Sequence, residues 1–126
     1  MRRLREPPAS LDLRAIDQLR DVADGDATFL AEIVDEYVAD APVQLDTIDR
    51  AVASGARDEA LRAAHTLKST SATFGATTLE GLAREMEGLA REGRLNEVGS
   101  LSRQARQELG SVTVQLRELD LGGVVQ

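Results

Sequence analysis

The chain has 126 residues, no cysteine and a formal net charge of −7 at neutral pH. That length supplies one domain with a single core and no room for a separate nucleotide-binding domain, and the lack of thiols excludes disulfides, thiolate catalysis and thiolate metal sites. The acidic balance argues against nucleic acid or an anionic membrane surface as the main partner.

The start, MRRLREPPAS, is basic but has no apolar run of the secretory kind. No segment approaches the roughly 20 apolar residues of a membrane span, so a cytoplasmic location is expected. Adjacent Pro7 and Pro8 impose extended geometry, and residues 1–10 read as a flexible arm. From Leu11 to Ala23, Leu13, Ile16, Leu19 and Val22 recur at helical spacing and predict a short first helix, ended by the turn Asp24-Gly25-Asp26.

Asp26 is placed to cap the next helix, whose apolar stripe runs from Leu30 through Ile33, Val34, Tyr37, Ala41, Leu45, Ile48 and Val52 to a stop at Gly55. Pro42 either kinks this helix or sits in the first turn of a second one. Because the apolar phase survives across Pro42, a kinked continuous helix is favoured. A third helix is predicted from about Arg57 to Phe74, with Gly75 as its left-handed stop. Its inward face, Ala60, Ala63, Leu67, Thr70 and Phe74, is mostly small, which lets neighbouring helices approach closely.

Thr77-Thr78-Leu79-Glu80 has the spacing of a capping box, with Thr77 serving the Glu80 amide. The fourth helix that follows carries Leu79, Leu82, Ala83, Met86, Leu89 and Ala90 and closes at Gly93. A last helix presents Leu95, Val98, Leu101, Ala105, Leu109, Val112, Leu116 and Leu119 before Gly122-Gly123, and residues 122–126 read as a flexible tail. Short turns between long helices favour antiparallel neighbours, so the fold expected over residues 11–121 is all-α, an up-and-down antiparallel four-helix bundle with a short additional N-terminal helix. An oligomeric coiled coil is the competing architecture. The glycines fall at breaks in the pattern and the stripes are wider than a two-position seam, which favours the bundle and a monomer.

The third helix holds the only His and the only Lys of the chain, His65 and Lys68, one turn apart on one face. At 100° per residue, that outward face also carries Asp58, Leu61, Arg62, Ser69 and Ala72. A lone solvent-facing histidine is ordinarily a surface residue, and the carboxylates of Asp46/Asp49 and Glu85/Glu87 ordinarily belong to solvated helix faces. One His without Cys offers no metal-ligand cluster.

The fuller pattern His65-Thr66-Leu67-Lys68-Ser69-Thr70-Ser71-Ala72-Thr73-Phe74-Gly75-Ala76, followed by Leu79, Leu82, Ala83, Met86 and Glu87, resembles the signature of histidine-containing phosphotransfer (HPt) domains. In that family His-x-Leu-Lys-Gly/Ser precedes small residues, an apolar-Gly-Ala step and a helix ending in an apolar-acidic or apolar-glutamine pair. The resemblance implies that His65 takes a phosphoryl group from a receiver-domain aspartyl phosphate and passes it to another receiver aspartate. It implies partners of the response-regulator receiver type, with a hybrid histidine kinase as a further partner, and no cofactor of the protein's own because magnesium comes with the receiver.

Within the resemblance, Lys68 offsets phosphoryl charge and Glu87 accepts a hydrogen bond from one ring nitrogen of His65. Ser69 stands where the family often has glycine, and it is small enough for a partner to approach. Asp58, Leu61, Arg62, Ser69 and Ala72 are the expected partner-binding residues, with the exposed Leu61 as an apolar contact. Ile16 and Leu19 are read as core, with a place on the rim near His65 as the alternative. Thr66, where a kinase dimerisation helix usually has an acidic base, and the absence of a Gly-rich nucleotide site argue against autophosphorylation from ATP. The competing function is a helical adaptor that uses the same surface without chemistry.

Overall fold

Asp12 opens the first helix by accepting the Arg14 amide on its side chain, and α1 spans Leu13–Ala23. Asp24, in the left-handed region, ends it. The structure, a computed structural model, describes residues 11–125, with side chains through Glu118. The N-terminal arm expected at residues 1–10, Leu119 of the last apolar stripe and the final residue of the tail lie outside this description.

The second helix, α2, runs Ala27–Ser54, with Asp26 accepting the Phe29 amide as the expected cap and Gly55 as a left-handed stop. It continues through Pro42. The missing hydrogen bond is tolerated because Val34, Tyr37, Ala41, Leu45, Ile48 and Ala51 keep one buried face on both sides of the proline. α3 spans Arg57–Thr73 and α4 spans Thr77–Arg91. α5 spans Leu95–Val125. α5 passes through Gly122 and Gly123, beyond the stop expected there. Glycine weakens a helix by roughly 1 kcal/mol relative to alanine and does not forbid one.

α3 packs against α2 and α4, and α5 closes the ring against the same two helices; α1 rests on α2 and α3. The expected four-helix bundle with an additional N-terminal helix is therefore present. Its core combines Leu45, Ile48, Leu67, Leu79, Met86, Val98, Val112 and Leu116 with the alanines that permit close helix approach. Among the described residues the only strand-like feature is an isolated bridge between Leu11 and Ala76. There the Asp12 amide donates to the Gly75 carbonyl at 2.7 Å, which anchors the start of α1 on the α3–α4 turn.

Three local expectations are corrected. Leu13 and Val22 do not join the core: they are 64% and 72% exposed, and Ile16, Leu19 and Ala23 form the buried face of α1. The shift arises because α1 touches the bundle along one narrow edge, so three positions suffice. Ile16 and Leu19 are plain core. The Thr77–Glu80 capping box is not made, because Ala76 is the N-cap and Thr77 is already helical; Glu80 instead pairs with Arg84 at 2.8 Å. On α3, Ser71 takes the fully buried place, while Thr70 stays half-exposed and donates to the Thr66 carbonyl.

Tyr37 explains the buried serine. Its hydroxyl and that of Ser71 lie 2.8 Å apart inside the bundle, and its ring stacks on Phe74 with centroids 4.5 Å apart. Across the molecule Arg106 on α5 bonds to Asp46 and Asp49 on α2, and the buried Ser102 donates to Asp49. These two aspartates are a helix-to-helix clasp, not a freely solvated face.

The candidate phosphoacceptor site

α3 carries His65 and Lys68 on successive turns, and α4 lies against that edge of α3 with Glu87 turned toward them. The N-terminal end of α3 is fixed to the C-terminal end of α4 by Arg57, whose guanidinium donates to the Arg91 carbonyl at 2.9 Å. That tie and the small residues between the helices set the register at which Glu87 meets its partners.

Glu87 is only 7% exposed. Its Oε1 accepts from Lys68 Nζ at 2.7 Å, and its Oε2 lies 2.9 Å from His65 Nδ1. Arg91, one turn further along α4, reaches the same Oε2 at 3.4 Å. A buried carboxylate persists because it is compensated in this way. The Lys68 hydrogen bond holds the Glu87 carboxyl below its ordinary value of 4.5, and His65 adds in the same direction, against the opposing effect of burial. Glu87 is therefore ionised at neutral pH and can only accept hydrogen bonds. The proton of a neutral His65 ring then belongs on Nδ1, and the lone pair belongs on Nε2.

The His65 side chain is 58% exposed on the outer surface of α3. Asp58, Arg62, Ser69 and Ala72 are exposed on the same helix, as expected. Asp58 is engaged with Arg57 at 3.0 Å. Leu61 departs from the expectation of an exposed apolar contact: it is half-buried and packs against the core. Its direction points toward the α4 side of α3, where Lys68 also lies, and α4 covers it. Glu87, expected on a solvated surface, is buried for the same reason. Arg91 was not singled out in the sequence, although a Glu–Arg pair four residues apart on a helix was a usable signal.

This arrangement, a nucleophilic ring nitrogen presented outward and held by a buried acid–lysine pair, is matched by what the chain resembles. The Hpt domain family model matches residues 32–118, and the chain belongs to that family. Among solved structures, histidine-containing phosphotransfer protein B (HptB) from Pseudomonas aeruginosa PAO1 superposes with a TM-score of 0.81 at 26% sequence identity, over 89% of this chain and 95% of that one. A search of curated proteins finds no match. No described helix is long and apolar enough to cross a membrane.

Proposed function

We propose that the protein is a phosphoryl carrier of a two-component phosphorelay, taking the group from a receiver-domain aspartyl phosphate onto His65 and giving it to another receiver aspartate. The observation that carries this reading is the Glu87 carboxylate bonded to His65 Nδ1, which leaves Nε2 free on an exposed helix face. In the forward step Nε2 attacks phosphorus, the N–P bond forms, and the bond from phosphorus to the aspartyl oxygen breaks with that carboxylate as leaving group. The ring keeps its Nδ1 proton and becomes cationic, and Glu87 already faces that charge. The reverse sequence loads the next receiver.

Lys68 serves the phosphoryl group. Its ammonium has three donors and spends one on Glu87, so the others are available to phosphoryl oxygens beside Nε2. Magnesium comes with the receiver. Arg62, Ser69 and Ala72 supply the exposed surface around the histidine, with a small footprint of roughly 1,200 Å² or less in total suited to rapid release. Leu61 lies too deep to be its apolar centre.

The test is to incubate the protein with a panel of phosphorylated receiver domains and follow acid-labile label, with His65→Gln alongside. Label on the wild type and none on the variant is expected. Equal label on both, at unchanged thermal stability, overturns the assignment.

A further inference from the structure

A cleft of about 350 Å³ opens where α1, α2 and α3 meet, on the side of α3 away from Glu87. Its floor is apolar, made by Leu19, Ile33, Tyr37 and Phe74. One rim carries Glu36 and Asp40, one turn apart on α2, and the other carries Thr70 and Thr73 of α3. Neither carboxylate makes an ion pair among the described residues; Asp40 accepts only from Gln44, at 3.3 Å. Like charges at this helical spacing repel, and nothing in the fold requires them.

The wider field has the same sign. Residues 12–54 contain eleven carboxylates and three arginines, whereas α3 and α4 together balance their charges. An apolar trough rimmed by unpaired carboxylates is complementary to a long cationic side chain, whose methylene stem lies on apolar surface while its head meets the acids. Thr70 and Thr73 follow His65 by one to two turns on the same helix, within one footprint of a protein docked over the histidine.

We propose that this cleft is a second anchor for the receiver partner and takes a lysine or arginine side chain from it, with Glu36 and Asp40 determining which receivers dock. The proposal rests on the carrier function of His65. It separates recognition from chemistry: the cleft selects the partner, and the His65–Lys68–Glu87 group moves the phosphoryl.

The experiment takes the receiver that labels the wild type fastest from the panel and compares it with phosphoramidate as donor. In Glu36→Gln/Asp40→Asn, kcat/KM for transfer from the receiver is expected to fall about tenfold at low ionic strength and less than about twofold in high salt, with labelling by phosphoramidate unchanged. Alanine replacement of each basic residue on the receiver should then reveal one whose effect disappears in that variant. Unchanged transfer, or coupling only to an apolar receiver residue, overturns the proposal. Absence of His65 labelling by both donors overturns the carrier reading and this inference with it.

Discussion

Glu87 receives His65 Nδ1 and Lys68 Nζ on separate oxygens, at 2.9 and 2.7 Å, from a position almost closed to solvent. One buried carboxylate thus sets the tautomer of the nucleophile and the position of the neighbouring cation. Glu87→Gln retains one acceptor oxygen for the ring but turns an amide donor toward one of the two partners. It should slow transfer by a few-fold, and Glu87→Ala, which frees the ring, by about tenfold or more. Rates by rapid quench with a single receiver would check this; equal rates for wild type and Glu87→Ala would remove Glu87 from the mechanism.

Lys68→Ala should act twice. Loss of a charged donor at the phosphoryl group, worth on the order of 1–2 kcal/mol, slows transfer by about tenfold or more. The same change strips a buried carboxylate of its shortest hydrogen bond, so the variant should also be less stable by about 1.5–3 kcal/mol in urea unfolding. Slower transfer at wild-type stability would mean that Glu87 finds another partner, and Arg91 is the one within reach.

The Glu87 pair also links stability to pH. Because its carboxyl titrates lower in the folded protein than its ordinary 4.5, its contribution is complete above that value and is lost as pH falls through the folded value. The difference in thermal midpoint between wild type and Glu87→Gln should therefore change below about pH 4.5 and stay level from there to neutrality. A difference that varies across pH 5 to 7 would contradict the direction of the shift.

Tyr37 gives an alkaline counterpart. Burial pushes its phenol up from 10.0 to about 12, with the Ser71 hydroxyl pulling slightly the other way. As the only tyrosine in a chain without tryptophan, it can be followed by absorbance without interference. Ionisation in the folded protein should wait until about pH 12, and stability should fall as pH rises above 10.0, where the unfolded phenol ionises first. A normal titration near 10.0 in the folded protein would place the hydroxyl in water instead of on Ser71.

Much of this fold was legible in the sequence, and the reasons differ by element. The phase of α2 across Pro42 and the stops at Gly55 and Gly75 follow from local periodicity and backbone chemistry, and both reappear in the structure. Gly75 is doubly constrained: its φ is +70° and a Cβ would lie 2.7 Å from the Asp12 carbonyl, a contact visible only once α1 is placed. The exposure of Leu13 and Val22 and the half-burial of Leu61 depend on where a neighbouring helix stops, which one helix's spacing does not encode. The same holds for Asp46 and Asp49, whose partner Arg106 lies far along the chain. At the site, His65 and Lys68 announce themselves by type and spacing, whereas the burial of Glu87 comes from the α3–α4 register.

That constraint on Gly75 sets a contrast with Gly55. Both have positive φ, but Gly55 has open space where a Cβ would stand. Gly55→Ala should cost about 1–2 kcal/mol, the usual left-handed penalty, and Gly75→Ala distinctly more, because the α1 anchor must also move. Denaturant midpoints of the two variants would compare them, and equal losses would show that the Asp12–Gly75 contact is slack.

The central claim is that a phosphoryl group goes to one atom, Nε2 of His65, because Glu87 holds the other ring nitrogen. Phosphorus NMR of the protein loaded with phosphoramidate, with the site mapped by peptide analysis at alkaline pH, reads that atom directly. A single Nε2-phosphohistidine at His65, absent from His65→Gln, is the result expected. Phosphate on Nδ1, on a residue other than His65, or on none would contradict the account.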